Sequence, residues 1–218
     1  LRSLPGLPDL TIADRGGDRD GSAWDERYAA DGYLWDVAPN QFVVEHLSAL
    51  TPGAAIDLGA GEGRNAVWLA ERGWHVVAVD FSATGLDKAR RLAERRGFSD
   101  RVETVVADAL GYEPADPVDL VVLAYLQLPG EQVRVALRNA AGWIRPGGRV
   151  FVVAHDKSNV EHGWGGPPSV EVCYDVEGTI TALDGLEVER AEVAPRTVET
   201  EDGTQTALDT VVMARRPG

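Results

Sequence analysis

Five short apolar runs, each separated from the next by a stretch with helical or turn character, fix the architecture open to this chain. They are Ala54–Leu58, His75–Asp80, Val102–Val106, residues 118–125 and residues 148–154. Each is nearly continuous in Val, Leu, Ile and Ala rather than alternating with polar residues, which is the pattern of strands buried on both faces. Helical spacing fills the gaps. Residues 64–72 turn Ala66, Leu69 and Ala70 inward before Gly73; a second helix runs from the cap Ser82 to Arg96, with Gly97 after it; a third spans 131–144. Strands alternating with helices in this way predict a doubly wound α/β domain with a parallel sheet. A short helix is expected over 175–183. Two strand-like runs close the chain, 186–198 and 206–214, joined by the turn-like Glu201-Asp-Gly-Thr204. They predict an antiparallel hairpin on the sheet edge, seven strands in all.

A chain of 218 residues, 44% of them hydrophobic, suits one core that needs no disulfide, and a single cysteine, Cys173, allows none within the chain. The organisation expected is a flexible arm over residues 1–22, poor in apolar groups, and one domain over 23–218. Within that domain, residues 23–50 form an aromatic cap with a helix over 42–50, and residues 51–218 the core. Net charge is -14, from 35 acidic against 21 basic side chains scattered along the chain. That balance repels a phosphate backbone, so nucleic acid is not an expected partner. No stretch is long and apolar enough to span a bilayer. Neither a membrane partner nor a secretory signal is expected, and the sequence is read as a cytoplasmic monomer or homodimer.

Three places carry the chemistry. Ile56-Asp-Leu-Gly-Ala-Gly-Glu-Gly63 follows a strand and opens a helix, so its glycines permit a tight turn and close backbone approach beside free helix N–H groups. Arg64 occupies the place of the third glycine of a dinucleotide fingerprint, which argues against a nicotinamide or flavin enzyme. Val77-Ala-Val-Asp80-Phe81 ends the second strand with an acid able to accept from paired hydroxyls and an aromatic ring able to cover a base. Val105-Val-Ala-Asp108-Ala109 ends the third strand. Asp108 there is either a turn cap or a ligand contact. All three lie at the carboxyl ends of neighbouring strands, where open α/β sheets bind ligands.

These segments, with Ile144-Arg-Pro-Gly-Gly148 leading into the fifth strand, resemble the class I S-adenosylmethionine-dependent methyltransferases, which share a Rossmann-like fold. From about residue 24 to 215 the chain is similar to the small bacterial tellurite-resistance and thiopurine-type group, on the strength of Trp24-Asp-Glu-Arg-Tyr28, Trp35 and Pro39-Asn40. The resemblance implies a methyl transferase with S-adenosyl-L-methionine as cofactor and S-adenosyl-L-homocysteine as product. It implies a cofactor site of Asp57, Gly59, Ala60, Gly61, Gly63 and Arg64, then Asp80 and Phe81 at the ribose. Asp108 and Ala109 would lie at the adenine, Ala124 after the fourth strand, and Tyr28 and Trp35 in the cap.

An acidic chain of this size points to a small-molecule acceptor, methylated mainly by proximity and orientation. A cofactor-binding module without turnover is the alternative. The catalytic candidates are Tyr125, at the productive end of the fourth strand, and His155 and His162, either of which titrates in the range of a general base. A hydrogen-bonded loop histidine is the competing reading for both. Trp164, between glycines, is a lid or a loop anchor. No metal is expected, because the spacing of His155, Asp156 and His162 matches no ligand motif.

Overall fold

The computed structural model describes residues 22–29, 32–34 and 37–218. Apart from Ser22, which opens the first helix, the expected N-terminal arm lies outside the described residues, as does Trp35. Seven strands form one sheet in the order β3-β2-β1-β4-β5-β7-β6. The parallel part consists of β3 (Val102–Val106), β2 (His75–Asp80), β1 (Ala54–Leu58), β4 (Val118–Ala124) and β5 (Ile144–His155). The hairpin follows, β6 (Glu187–Thr200) and β7 (Gly203–Arg215), with β7 running antiparallel beside β5 and β6 on the outside. This is the doubly wound, mostly parallel α/β sheet that the apolar runs predict.

The strand period of two sends alternate residues to opposite faces. Phe151 and Val153 of β5 join Val211 of β7 under α2 (Gln41–Leu47), α3 (Arg64–Glu71) and α4 (Ala83–Arg96). Val150 and Val152 face the other way with Val212, against α5 (Gly130–Trp143) and α7 (Val176–Ala182). Capping sets the helix ends as the sequence suggests. Ser82 accepts a hydrogen bond from the Gly85 amide at 3.0 Å, and Gly97 closes α4 at φ 81°. The first helix, α1 (Ser22–Tyr28), packs on α4, and its Asp25 accepts from the Ser82 hydroxyl and, at 3.0 Å, from the Thr84 amide.

Two element boundaries differ from expectation, each for a local reason. β5 begins at Ile144, which pairs with Val118, and the register then jumps so that Arg149 faces Leu120. The Pro-Gly-Gly segment is thus an irregularity inside the strand and not a loop before it. Gly148 sits there because an added Cβ would lie 2.9 Å from the Arg145 carbonyl oxygen and 3.1 Å from that of Asp119. The hairpin runs to Thr200 and resumes at Gly203, leaving a two-residue turn in place of the longer one expected. A short helix, α6 (Asn159–His162), and a 3-10 turn (Val170–Val172) break up the segment after β5. Asp119, at the far end of β4, accepts from the Ala54 amide at 2.8 Å and pins the starts of β1 and β4 together.

Candidate active site

The carboxyl ends of β1, β2, β3 and β4 open into a crevice of about 140 Å³. Gly59, Asp80, Phe81, Asp108, Ala109 and Leu110 line it, together with Trp24, Tyr28 and Tyr125. The glycine turn forms its floor. Gly59 and Ala60 donate to the Val79 carbonyl at 2.8 and 3.0 Å, and the Gly61 amide donates to Asp80 Oδ2 at 2.8 Å. The space beside two of these glycines is taken by the protein itself rather than left for a ligand. A Cβ on Gly61 would meet the Tyr28 hydroxyl at 2.7 Å, and one on Gly63, at φ 78°, would collide with Ala89 of α4.

Three carboxylates sit in three different states. Asp57 is 1% exposed, and neither of its oxygens has a hydrogen-bond partner. Burial pushes its pKa up to about 7, opposed chiefly by the Ala66 amide, which faces it without closing a well-formed bond. Asp80, also buried, accepts from Gly61 and, at 2.9 Å, from the Ser82 amide. Burial raises it, while the amides of Ser82, Gly61 and Phe81 pull it down and Asp25 adds repulsion. A carboxylate has about four acceptor positions, so capacity remains for a ligand. Asp108 is exposed at the crevice rim, where the turn-capping role is visible. Its Oδ1 caps the Leu110 amide at 2.9 Å while the residue lines the crevice.

Not every candidate from the sequence arrives here. Arg64 is half-buried at the start of α3 and acts electrostatically on Asp57, and Ala124 packs into the core beneath the crevice rather than lining it. His162 is 70% exposed beside Glu161 on α6, away from the crevice, because α6 turns its C-terminal end to solvent. Trp164 is half-buried, and its backbone amide donates to the Thr206 carbonyl at 2.9 Å. Tyr125 reaches the crevice in a left-handed backbone conformation at φ 57°. Its hydroxyl donates to Asp209 Oδ2 at 2.8 Å and accepts from Asn40 Nδ2 at 3.4 Å. Burial and the Asp209 charge push this phenol well above the ordinary tyrosine range, so it keeps its proton.

Several contributors escape sequence reasoning. Glu62, inside the glycine motif, is buried and accepts from the Leu34 amide at 2.9 Å and from Lys88 Nζ at 3.0 Å, tying the cap segment to the turn. Tyr174 donates to the Leu126 carbonyl at 2.7 Å and steadies the loop after β4. Asp209 and Arg196 come from the hairpin, more than 80 residues from Asp108 in sequence, and no local pattern marks them. Among the described residues no group of three His, Cys, Asp or Glu side chains could hold a metal, and no helix is long and apolar enough to cross a membrane.

Sheet order, glycine turn and the acids at the ends of β2 and β3 together give the Rossmann-like fold of the class I methyltransferases, a class whose cofactor is S-adenosyl-L-methionine. Residues 55–148 match the family described as a methyltransferase domain. The chain is 35% identical over 96 residues to the tRNA 5-carboxymethoxyuridine methyltransferase of Escherichia coli K12, a match covering 43% of this chain and 36% of that protein. It is 35% identical over 121 residues to the demethylmenaquinone methyltransferase of Clavibacter sepedonicus, covering 55% of this chain and 46% of the relative. The matches thus span less than half the length of either relative. Among solved structures, TehB from Haemophilus influenzae superposes with a TM-score of 0.69 at 17% identity, covering 91% of this chain and 67% of that one. The chain resembles the class I S-adenosylmethionine-dependent methyltransferases of the TehB type.

The residues present fit that cofactor. Asp57 is an unpartnered buried carboxylate behind the glycine turn, which suits a cationic amino group. Asp80 has acceptor capacity to spare for ribose hydroxyls, and Phe81 offers an apolar face beside Asp108 and Ala109.

Proposed function

We propose that this protein transfers a methyl group from S-adenosyl-L-methionine to a small-molecule acceptor, mainly by holding the two in attack geometry. The observation that carries the reading is the crevice itself, in which three acids with unused acceptor capacity (Asp57 unpartnered, Asp80 partly engaged, Asp108 at the rim) surround a glycine turn. When bound, the cofactor supplies an electrophilic methyl on a positive sulfur. Asp57 would face its amino-acid end, Asp80 its ribose, and Phe81, Asp108 and Ala109 its adenine. Tyr28 and Trp24, stacked at 5.6 Å, close the cap side and keep water from the transfer site. Trp35, also expected in the cap, remains part of this proposal although it lies outside the described residues.

The relatives' names point to both kinds of acceptor, a tRNA nucleoside and a quinone precursor. The net charge of -14 favours the small molecule. Calorimetric titration with S-adenosylhomocysteine tests the cofactor site. Asp80→Ala is expected to weaken binding by about 2 kcal/mol, through loss of charge-assisted hydrogen bonds. Unchanged affinity would overturn the assignment. A labelled-methyl screen over phenols, thiols and amines then separates the enzyme from a binding module, which would bind the cofactor and turn over none of them.

A further inference from the structure

Beyond the crevice, the ends of four strands bring a second set of side chains together on the α2 face of the sheet. His155 ends β5 and Asp209 is its direct cross-strand partner on β7, so both side chains leave the same face. Asp209 is wholly buried. Its Oδ2 accepts from Tyr125 at 2.8 Å and from Arg196 Nε at 2.7 Å, while its Oδ1 faces His155 Nδ1 at 3.3 Å. Those last two atoms are buried, and the pair stands slightly off the line of a closed hydrogen bond. The two rings, Tyr125 and His155, lie 4.9 Å apart, and Gly166 covers the imidazole so closely that a Cβ there would sit 3.0 Å from the ring. Asp156, next in the chain, faces away, its carboxylate held by Ser158 and Thr210.

We infer that Asp209 is a positioning residue that fixes His155 with its proton on Nδ1 and its Nε2 lone pair turned outward, making His155 the catalytic proton acceptor for a hydroxyl-bearing acceptor. The imidazole keeps 13% of its side chain open, and since Nδ1 is buried, the opening belongs to the other side of the ring. Asp209 and Arg196 neutralise each other, Tyr125 keeps its proton, and the second oxygen of Asp209 is left to accept from Nδ1 whether or not Nε2 has gained a proton. Burial alone would raise the Asp209 pKa, yet His155 and Arg196 outweigh it and keep the carboxylate below its ordinary range. A pair of this kind serves an alcohol or phenol, whose proton must leave. The O–H bond breaks toward Nε2 and the oxygen pair forms the bond to the methyl carbon. The carbon–sulfur pair stays on sulfur, which departs as a neutral thioether, and the imidazolium later returns its proton to water. A thiolate acceptor needs none of this.

The inference rests on the methyl-transfer reading, but its first test does not. In the ligand-free full chain labelled with 15N-histidine, His155, assigned by its loss in His155→Gln, is expected to show the Nδ1–H tautomer. Asp209→Asn is expected to shift it toward Nε2–H, since an amide can donate to Nδ1. An Nε2–H tautomer in the unmodified protein overturns the proposal, and so does a folded Asp209→Asn with the tautomer unchanged. Should Asp209→Asn fail to fold, the tautomer of the unmodified protein decides. Kinetics on acceptors from the screen supply the second test. His155→Gln should lower kcat on hydroxyl acceptors on the order of 100-fold with KM little changed, and on thiols of similar shape by less than about threefold. Equal losses on both overturn it. S-adenosylhomocysteine affinity in the same variant, expected within about twofold of the parent, keeps failure of this inference distinct from failure of the cofactor site.

Discussion

The acids of the site divide by how their neighbours are encoded. Asp57, Asp80 and Asp108 each lie within a few residues of the turn that follows their strand, so their places at the strand ends are local in the sequence, while the ligand roles expected of Asp57 and Asp108 come from the family resemblance. Asp209 has no such local mark, because its partners Tyr125, His155 and Arg196 are assembled by sheet order, and its neighbours in sequence, Leu208 and Thr210, carry no signature. Asp57 makes a prediction of its own. Its folded pKa is raised by burial to about 7, above the unfolded carboxyl, so the folded state holds that proton more tightly. The stability this confers is complete below pH 4 or so and is lost as pH rises through about 7. In the ligand-free protein Asp57→Asn should therefore melt several degrees above the parent at pH 8, with the gap closing by pH 5. Thermal denaturation at the two values checks this, and an equal offset at both would show that ionisation of Asp57 is not the cause.

At the level of elements, the strands and the three long helices follow from apolar period and caps, whereas the seating of the N-terminal cap, expected over residues 23–50, does not. Its attachment depends on single long-range bonds, Asp25 to the α4 terminus, Glu62 to the Leu34 amide and Asn40 to Tyr125, which no periodicity announces. The glycine turn shows the same mixture. Glycines there were legible as backbone freedom, but what occupies the space beside Gly63 is Ala89 of α4, so this glycine sets how closely α3 and α4 pack. Gly63→Ala is expected to destabilise by about 2–3 kcal/mol, from the left-handed backbone and the collision together. Pairing it with Ala89→Gly should recover about 1 kcal/mol relative to the sum of the single changes, because relief of the collision is shared. Urea unfolding of the four proteins measures that coupling; strict additivity would mean the cost is backbone strain alone.

Across the whole molecule, the acceptor question turns on where positive charge is available. The densest basic stretch is α4, with Lys88, Arg90, Arg91, Arg95 and Arg96 within one helix. Most of it is already engaged by the protein. Lys88 pairs with Glu62 at 3.0 Å, Arg90 with Asp87, and Arg96 with Glu71 at 3.0 Å, while Arg95 reaches the Tyr33 hydroxyl. The outer strand β6 answers its arginines in the same way, Arg190 with Glu192 at 2.6 Å and Arg196 with Asp209. A tRNA approaching this surface would have to displace these pairs and meet an excess of 14 negative charges, with few counterions released in return. Bulk tRNA at about 0.1 M salt is therefore expected to bind no more tightly than about 10⁻⁴ M, the weak end of non-specific binding. Fluorescence titration over a range of salt concentrations tests it. Micromolar binding that weakens steeply with added salt would reveal a phosphate-reading surface, and would move the acceptor from small molecule to RNA while leaving the cofactor crevice as described.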